Sequence, residues 1–552
     1  MSEMSESIKK AVAQSVKDTF SFEPEEKMVM VERPRDPKMG DYSTNIAMRL
    51  AKQLHQKPVD IASQLIEALK KNLPDASEIT IAGPGFINFV MSETSLTNCI
   101  NPIIAAGDAY GSSAANTKEK VLVEYVSANP TGDLHCGHAR GAAWGDSLTR
   151  LLRFAGYDVL REYYVNDAGH QIDMLAESML SRYFDCFGKE YPLPEDGYHV
   201  DDIKELAKEI AEQDGDKWID ADPEERMNYF KDKGIQRKLD AIAEDLGLFR
   251  CEFDSWVHER FFYENNNERI NKVLKTLEDK GLTYEQDDAL WFKSTEFGDD
   301  KDRVLRKSTG LLTYLTPDIA NHVYKLERGY TKLIDLWGAD HHSYVTRMKC
   351  ALEALGYPKD CLDVDLIQMV RMVSNGEEVK MSKRTGNAIT LRELCEDVGV
   401  DAARWFFVSK EVGTHMDFDM DLAKQRTNDN PVYYAQYAYT RMFNILHKDD
   451  APEFHQVDTY DLLKDKKELE LLKQISDFPK VVADAARLRL PNRICSYCQA
   501  LAREFHSYYN ASRVIDAANP ELTNQRMGLV YATMITMKNA LNLIGVDAPE
   551  KM

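Results

Sequence analysis

The stretch "VLVEYVSANPTGDLHCGHARGAAWGDSLTRLLRFAGYDVLREYYV" constrains this chain more than any other. Its first six residues are an apolar, β-branched run of strand length. Ala142, Leu148, Leu151, Leu152 and Ala155 then recur at helical spacing, and Gly156 stops the helix. "DVLREYYV" resumes as a strand. A strand–turn–helix–strand unit builds a parallel sheet whose ligands gather at the carboxyl ends of its strands. His135 and His138 stand on that side, around Gly137, at the start of the helix.

The same alternation runs from Val121 to about Leu180 and predicts a doubly wound α/β fold. Before it, residues 1–118 mix helical patterns with strands such as "EITIAG" and "FINFVM", as a compact α+β module would. Residues 185–302 read as a charged, mostly helical insertion, so the nucleotide fold is expected to resume after about Asp302. From residue 430 the pattern is almost wholly helical and predicts a bundle. The expected domains are therefore 1–118, 119–429 and 430–552.

Charge matters to what the chain can bind. The net charge is −22 over 552 residues, yet residues 430–552 hold 15 basic and 15 acidic side chains. Residues 1–118 carry 13 against 15, so the acidity is concentrated in the middle and peaks at 185–302. A polyanion would meet the near-neutral ends. No apolar run reaches the roughly 18 residues of a membrane helix. The first 20 residues lack an apolar core and include Glu3 and Glu6, unlike a secretion signal. Nine scattered cysteines suggest reduced thiols and a cytoplasmic location. Cys495 and Cys498 form the one close pair; helical core is expected of them rather than redox or zinc chemistry.

Two histidines at a helix N-terminus place side-chain donors beside free amides and the positive end of the helix dipole. Gly137 would leave room for a base or a phosphate. Such a turn suits a ligand whose negative charge grows during reaction. On its own it also fits an ordinary loop. "SNGEEVKMSKRTGNAITLREL" adds Lys380, Lys383 and Arg384 in a glycine-containing loop, 242 positions after His138. A basic loop of this kind suits a departing pyrophosphate, although alone it fits a solvated loop equally.

Together, His135-Cys136-Gly137-His138 and Lys380-Met381-Ser382-Lys383 resemble the two signatures of class I aminoacyl-tRNA synthetases. "VEYVSANPTGDLHCGHARGAAWGDSL", "YLTPDIANHVYKLERGY", "DLWGADHHSYVTRMK" and "NPVYYAQYAYTRM" are similar to the bacterial-type arginyl-tRNA synthetases, as are "PRDPKMGDYSTNIAMRLAK" and "AGPGFINF" near the start. The resemblance covers essentially the whole chain. It implies a Rossmann-like catalytic domain, an additional α+β N-terminal domain that binds tRNA, and an all-α anticodon-binding bundle.

The resemblance also implies roles. ATP would lie against Ala128, Asn129, Pro130, Thr131, Gly132, Leu134, His135, Gly137 and His138, with Lys380 and Lys383 on its phosphates and Mg2+ accompanying them. Met381 and Ser382 belong to the same catalytic loop. Glu124, Tyr314 and Asp318 would line the arginine side-chain pocket; a guanidinium is indeed best held by forked carboxylates. Ser127, Asn129 and His138 would meet the rest of the amino acid, and Asp340 and His341 its amino group or the ribose. Arg441, Arg487, Arg489 and Arg493 are candidate tRNA phosphate contacts. Tyr433, Tyr434, Tyr437 and Tyr439 offer stacking faces, or else interdomain core. Cys136 stands where the signature has an aliphatic residue and is expected to pack.

The expected activity is ATP-dependent ligation of arginine to tRNA(Arg) by a monomer, without a dedicated metal site or an editing domain. In the family, adenylate formation waits for tRNA. A small-molecule nucleotidyltransferase, a cysteinyl synthetase and a non-catalytic tRNA-binding relative remain alternatives.

Overall fold

The computed structural model describes residues 3–34, 36–114, 116, 119–195, 197–198, 201–379, 388–448 and 451–552. The chain divides into two compact units: Ala114–Arg426 with Ile544–Val546, and Met1–Ser113 with Thr427–Leu543 and Asp547–Met552. No helix among the described residues is long and apolar enough to cross a membrane.

The first unit is built on five parallel strands. In chain order these and the helices that matter are β1 (Lys120–Glu124), α1 (Cys136–Phe154), β2 (Asp158–Val165), α2 (Pro223–Leu248), β3 (Ser255–His258), α3 (Leu315–Glu327), β4 (Lys332–Gly338), α4 (His342–Leu355), β5 (Leu362–Ile367) and α5 (Leu391–Val398). The strands lie side by side as β3-β2-β1-β4-β5. The order reverses between β1 and β4, which is where doubly wound sheets hold their ligands.

Strand β3 corrects the sequence reading. Ser255–His258 lies within the span expected to be an insertion, yet it pairs in parallel with β2, Tyr164 opposite Val257. Four residues followed by charge give no periodicity to read. The span is otherwise helical as expected, except for a small antiparallel sheet of Thr283–Gln286, Ala289–Phe292 and Arg303–Arg306. Helix α2 braces the nucleotide fold: Lys238 pairs with Asp133 at 3.7 Å in the histidine turn, and Asp245 with Arg392 of α5 at 2.6 Å.

In the second unit, four antiparallel strands within residues 31–91 pack on the helices Glu3–Phe20 and Pro58–Asn72 around Ile8, Val12, Leu65, Ile87 and Phe89. The C-terminal helices include α6 (Pro431–His447) and α7 (Asn492–Ala511). The N-terminal module and the bundle join within this unit: Arg33 pairs with Asp477 at 2.5 Å, and the Tyr110 hydroxyl donates to the Ile475 carbonyl at 2.8 Å. Cys495 and Cys498 are buried on α7, where burial raises both thiols far above the ordinary range, so they are inert core.

Candidate active site

The turn after β1 is held in a strained shape. Val126 and Ser127 both adopt left-handed backbone angles, φ 68° and 40°. For a β-branched valine that conformation is costly and persists only where its surroundings impose it. Here the Ser127 hydroxyl accepts from the Tyr164 amide and donates to Glu124, both at 3.1 Å. The Ala128 carbonyl accepts from the Tyr163 hydroxyl at 2.8 Å. Asn129 is exposed and donates to Gln171 at 3.0 Å, while Pro130 and Leu134 are buried and Gly132 is open.

The histidines then cap α1. The Gly137 amide donates to His135 Nδ1 at 3.1 Å, and the His135 amide to His138 Nδ1 at 3.3 Å. With both Nδ1 atoms accepting, each neutral ring carries its proton on Nε2 and offers it outward. The rings stack with centroids 3.8 Å apart. Burial, then the neighbouring His135, depresses His138 to about 4, and burial lowers His135 as well. The pair is therefore two uncharged donors at neutral pH. A Cβ on Gly137 would fall 2.9 Å from His135 Cε1, so the glycine makes room for the histidine ring rather than for a ligand. Cys136 is buried, and its thiol donates to the Ile389 carbonyl at 3.1 Å, as packing requires.

Lys380, Met381, Ser382 and Lys383 lie outside the described residues, as does Arg384. The described chain just after them is anchored on the histidine turn. The Cys136 amide donates to the Ile389 carbonyl at 3.1 Å, and the Leu391 amide to the Leu134 carbonyl at 2.7 Å. Thr390 and Glu393 close a capping box on α5.

Across the switch point, Glu162, Glu124 and Asp335 stand level on β2, β1 and β4. Three adjacent buried carboxylates need compensation, and α3 supplies it. Lys325 lies between Glu124 and Asp335, 3.3 Å from the latter, and Arg328 pairs with Glu162. His322 Nε2 is 2.7 Å from Asp335, and its Nδ1 is 2.7 Å from the Asp318 carbonyl. Burial opposes the charge on Lys325, but Asp335 and Glu124 outweigh it and raise its pKa. Burial opposes ionisation of Asp335 too, and Lys325 and His322 prevail, holding it low. Glu124, whose two oxygens are taken by Lys325 and Ser127, is pushed up by burial.

Two further carboxylates have no ion pair of their own, although His322 and Lys325 act on Asp318 from a distance. Asp318, on the first turn of α3, accepts from the Tyr344 hydroxyl; Glu259, just past β3, accepts from the Tyr263 hydroxyl at 3.2 Å. Neither forms an ion pair among the described residues. Burial and the neighbouring Asp318 push Glu259 up to about 7, and burial raises Asp318. An acidic pair walled by tyrosines, with no ion pair of its own among the described residues, is suited to a cationic ligand.

Of the residues singled out from sequence, Glu124, Ser127 and Asp318 therefore meet at one site. Tyr314, just before α3, is 82% exposed, at the edge of this group and near enough to act on Tyr263. Asp340 and His341 are exposed on the turn after β4, 3.5 Å apart. Glu259, His322, Lys325 and Asp335 were missed. The signal for two of them was the D-x-x-x-H-x-x-K spacing of Asp318, His322 and Lys325, which puts all three on one helix face. Glu259 carried no comparable signal.

In the second unit, Arg441 of α6 lies with its guanidinium 4.8 Å from the ring centroids of both Tyr437 and Tyr509, and donates to the Tyr437 hydroxyl at 2.8 Å. It borders a cavity of about 680 Å³ that also includes Asn444, Lys448 and Arg513. Tyr433 stacks on Tyr437, Tyr434 packs on His506, and Tyr439 is buried core. Arg487 is exposed and pairs with Asp484 at 3.0 Å, Arg489 ends the helix Phe478–Leu488 in a left-handed conformation, and Arg493 is exposed at the start of α7.

Comparison with known proteins agrees with this layout. Residues 100–419 match the family described as tRNA synthetases class I (R), catalytic domain; residues 6–91 match the arginyl tRNA synthetase N terminal domain, and 435–552 the DALR anticodon binding domain. Fold and matched catalytic region together define a class I aminoacyl-tRNA synthetase. The chain is 51% identical to the arginine–tRNA ligase of Geobacillus thermodenitrificans, over 100% of this chain and 99% of that one. It is 49% identical to that of Bacillus subtilis, over 100% and 98%. The solved arginyl-tRNA synthetase of Thermus thermophilus shares the fold, with a TM-score of 0.77 at 23% identity across the full length of both chains. The chain belongs to the arginyl-tRNA synthetase family.

Proposed function

We propose that the chain activates L-arginine with ATP and transfers it to tRNA(Arg), with the following division of labour. The guanidinium sits between Asp318 and Glu259, whose lack of an ion-pair partner among the described residues is the observation that carries the reading. Glu124 lies on the strand that feeds the histidine turn, so with Ser127 and Asn129 it faces the end of the substrate that reacts. The arginine carboxylate attacks the α-phosphorus of ATP, pyrophosphate leaves, and the terminal ribose hydroxyl of tRNA then displaces AMP from the activated carbonyl.

No side chain becomes a nucleophile. His135 and His138 donate from Nε2 to the α-phosphate oxygens, where negative charge builds in the transition state. Their neutrality means that they add hydrogen bonds without fixing charge on the turn beforehand. Residues 128–134 carry the nucleotide, with Gly137 allowing the histidine geometry. Lys380 and Lys383 of the second signature, with Met381 and Ser382 between them, take the leaving pyrophosphate. Mg2+ enters as part of the nucleotide substrate, on its phosphates. Asp340 and His341 approach the ribose from the β4 turn. In the bundle, the Tyr437–Arg441–Tyr509 stack supplies faces for unstacked anticodon bases, and Arg487, Arg489 and Arg493 meet backbone phosphates.

The test is charging of total tRNA with each standard amino acid in turn. Arginine alone is expected to be esterified. Charging with another amino acid would overturn the pocket assignment, and no charging at all would overturn the enzyme.

A further inference from the structure

Three phenols surround the acidic pair, and only two are occupied. Tyr344 donates to Asp318 and Tyr263 to Glu259. The third, Tyr164, is 9% exposed, and its hydroxyl is buried without a hydrogen-bond partner among the described residues. A buried hydroxyl left unpaired costs free energy, and native structures seldom tolerate one without cause.

Tyr164 has little freedom to escape. It sits at the carboxyl end of β2, opposite Val257, and Glu259 follows two residues after Val257, just past the neighbouring strand. Its amide is tied to Ser127, which is tied to Glu124. Its ring is held in the apolar cluster with Val257, Phe262, Leu315 and Ile319. The charged groups that act on its hydroxyl are, in decreasing order, Glu259, Asp318 and Glu124; burial first, and then these carboxylates, keep it a neutral phenol.

We propose that Tyr164 is a specificity-determining residue of the arginine site, its hydroxyl oxygen accepting an N–H from the guanidinium held by Asp318 and Glu259. This deepens the function proposed above and rests on it. A guanidinium has five N–H donors in a planar fork, more than two carboxylates at fixed positions satisfy alone. A neutral acceptor adds a hydrogen bond without adding a further negative charge to a site already crowded with them. A lysine ammonium gathers its three donors on one nitrogen and cannot span acceptors spaced for the planar fork, so the contact favours arginine over lysine.

Tyr164→Phe removes the oxygen and keeps the ring. The expected result is an arginine KM raised about tenfold in tRNA charging, with kcat within about threefold. The melting temperature should stay level or rise, because an unpaired hydroxyl has been removed. An unchanged KM overturns the role of Tyr164 while leaving the Asp318–Glu259 site intact. A wild-type chain that does not charge tRNA with arginine overturns both. A lowered melting temperature with unchanged KM would make Tyr164 purely structural and also overturns the proposal.

Discussion

Lys325 joins Glu124 and Asp335, residues that stand opposite one another on β1 and β4 where the strand order reverses. Beneath the proposed substrate site lies a buried ion cluster rather than an apolar core, and among the described residues one lysine serves two carboxylates. Replacing it with methionine leaves Glu124 without its cation and Asp335 with His322 alone. Lys325→Met is expected to lower stability by about 3 kcal/mol and to raise the arginine KM, because Glu124 loses its anchor. Denaturant unfolding checks the first effect and steady-state charging the second; a variant as stable as wild type contradicts this account of the cluster.

The pH dependence follows from Glu259. Its folded pKa is raised to about 7 from an ordinary value of 4.5 by burial and by Asp318. Between those values the folded chain holds a proton that the unfolded chain has released, so this group makes stability fall as pH rises through that window. Arginine binding has the opposite sense, since a guanidinium favours the carboxylate. The arginine KM should fall as pH rises through about 7, and Glu259→Gln should both raise and flatten it. A wild-type KM that is level from pH 6 to 8 argues against Glu259 in the pocket.

Gly137→Ala tests the histidine turn while keeping both imidazoles in the chain. The added Cβ must displace His135, from which it would lie 2.9 Å. Loss of an aligned donor on the transferring phosphate typically costs about a hundredfold in kcat. Alanine is at least as good as glycine in a helix, so the melting temperature should hold. Unchanged kcat would mean that the His135 position is not part of the chemistry.

For the bundle, Arg441→Gln unstacks the Tyr437–Arg441–Tyr509 group. The tRNA KM is expected to rise about tenfold, with the arginine KM unaffected. Equal changes in both would indicate misfolding of the bundle rather than loss of a contact.

Much of this was legible in the chain because the signals were local. The β1–α1–β2 unit has strand-length apolar runs, a clean helical stripe and a stopping glycine, and the structure reproduces it. Glu124 and Asp318 were found through the motifs around them. Lys325 and His322 were not, because their meaning depends on β4 lying beside β1, a pairing over 200 residues apart in sequence. Glu259 escaped for a different reason: β3 is four residues long and lies in the most acidic part of the chain, where one more glutamate carries no pattern. Tyr314 illustrates the converse. Its spacing to Asp318 implied a shared helix face, but it precedes the first turn of α3 and is largely exposed.

The most direct test of the central claim, that the Asp318–Glu259 pair reads a guanidinium by its charge, is calorimetric titration with arginine and citrulline in the presence of total tRNA. Citrulline keeps the shape and replaces the cation with a neutral ureido group. The account predicts that arginine binds at least about a hundredfold more tightly, and that Glu259→Gln and Asp318→Asn each shrink the gap. Comparable affinities for the two ligands would contradict it.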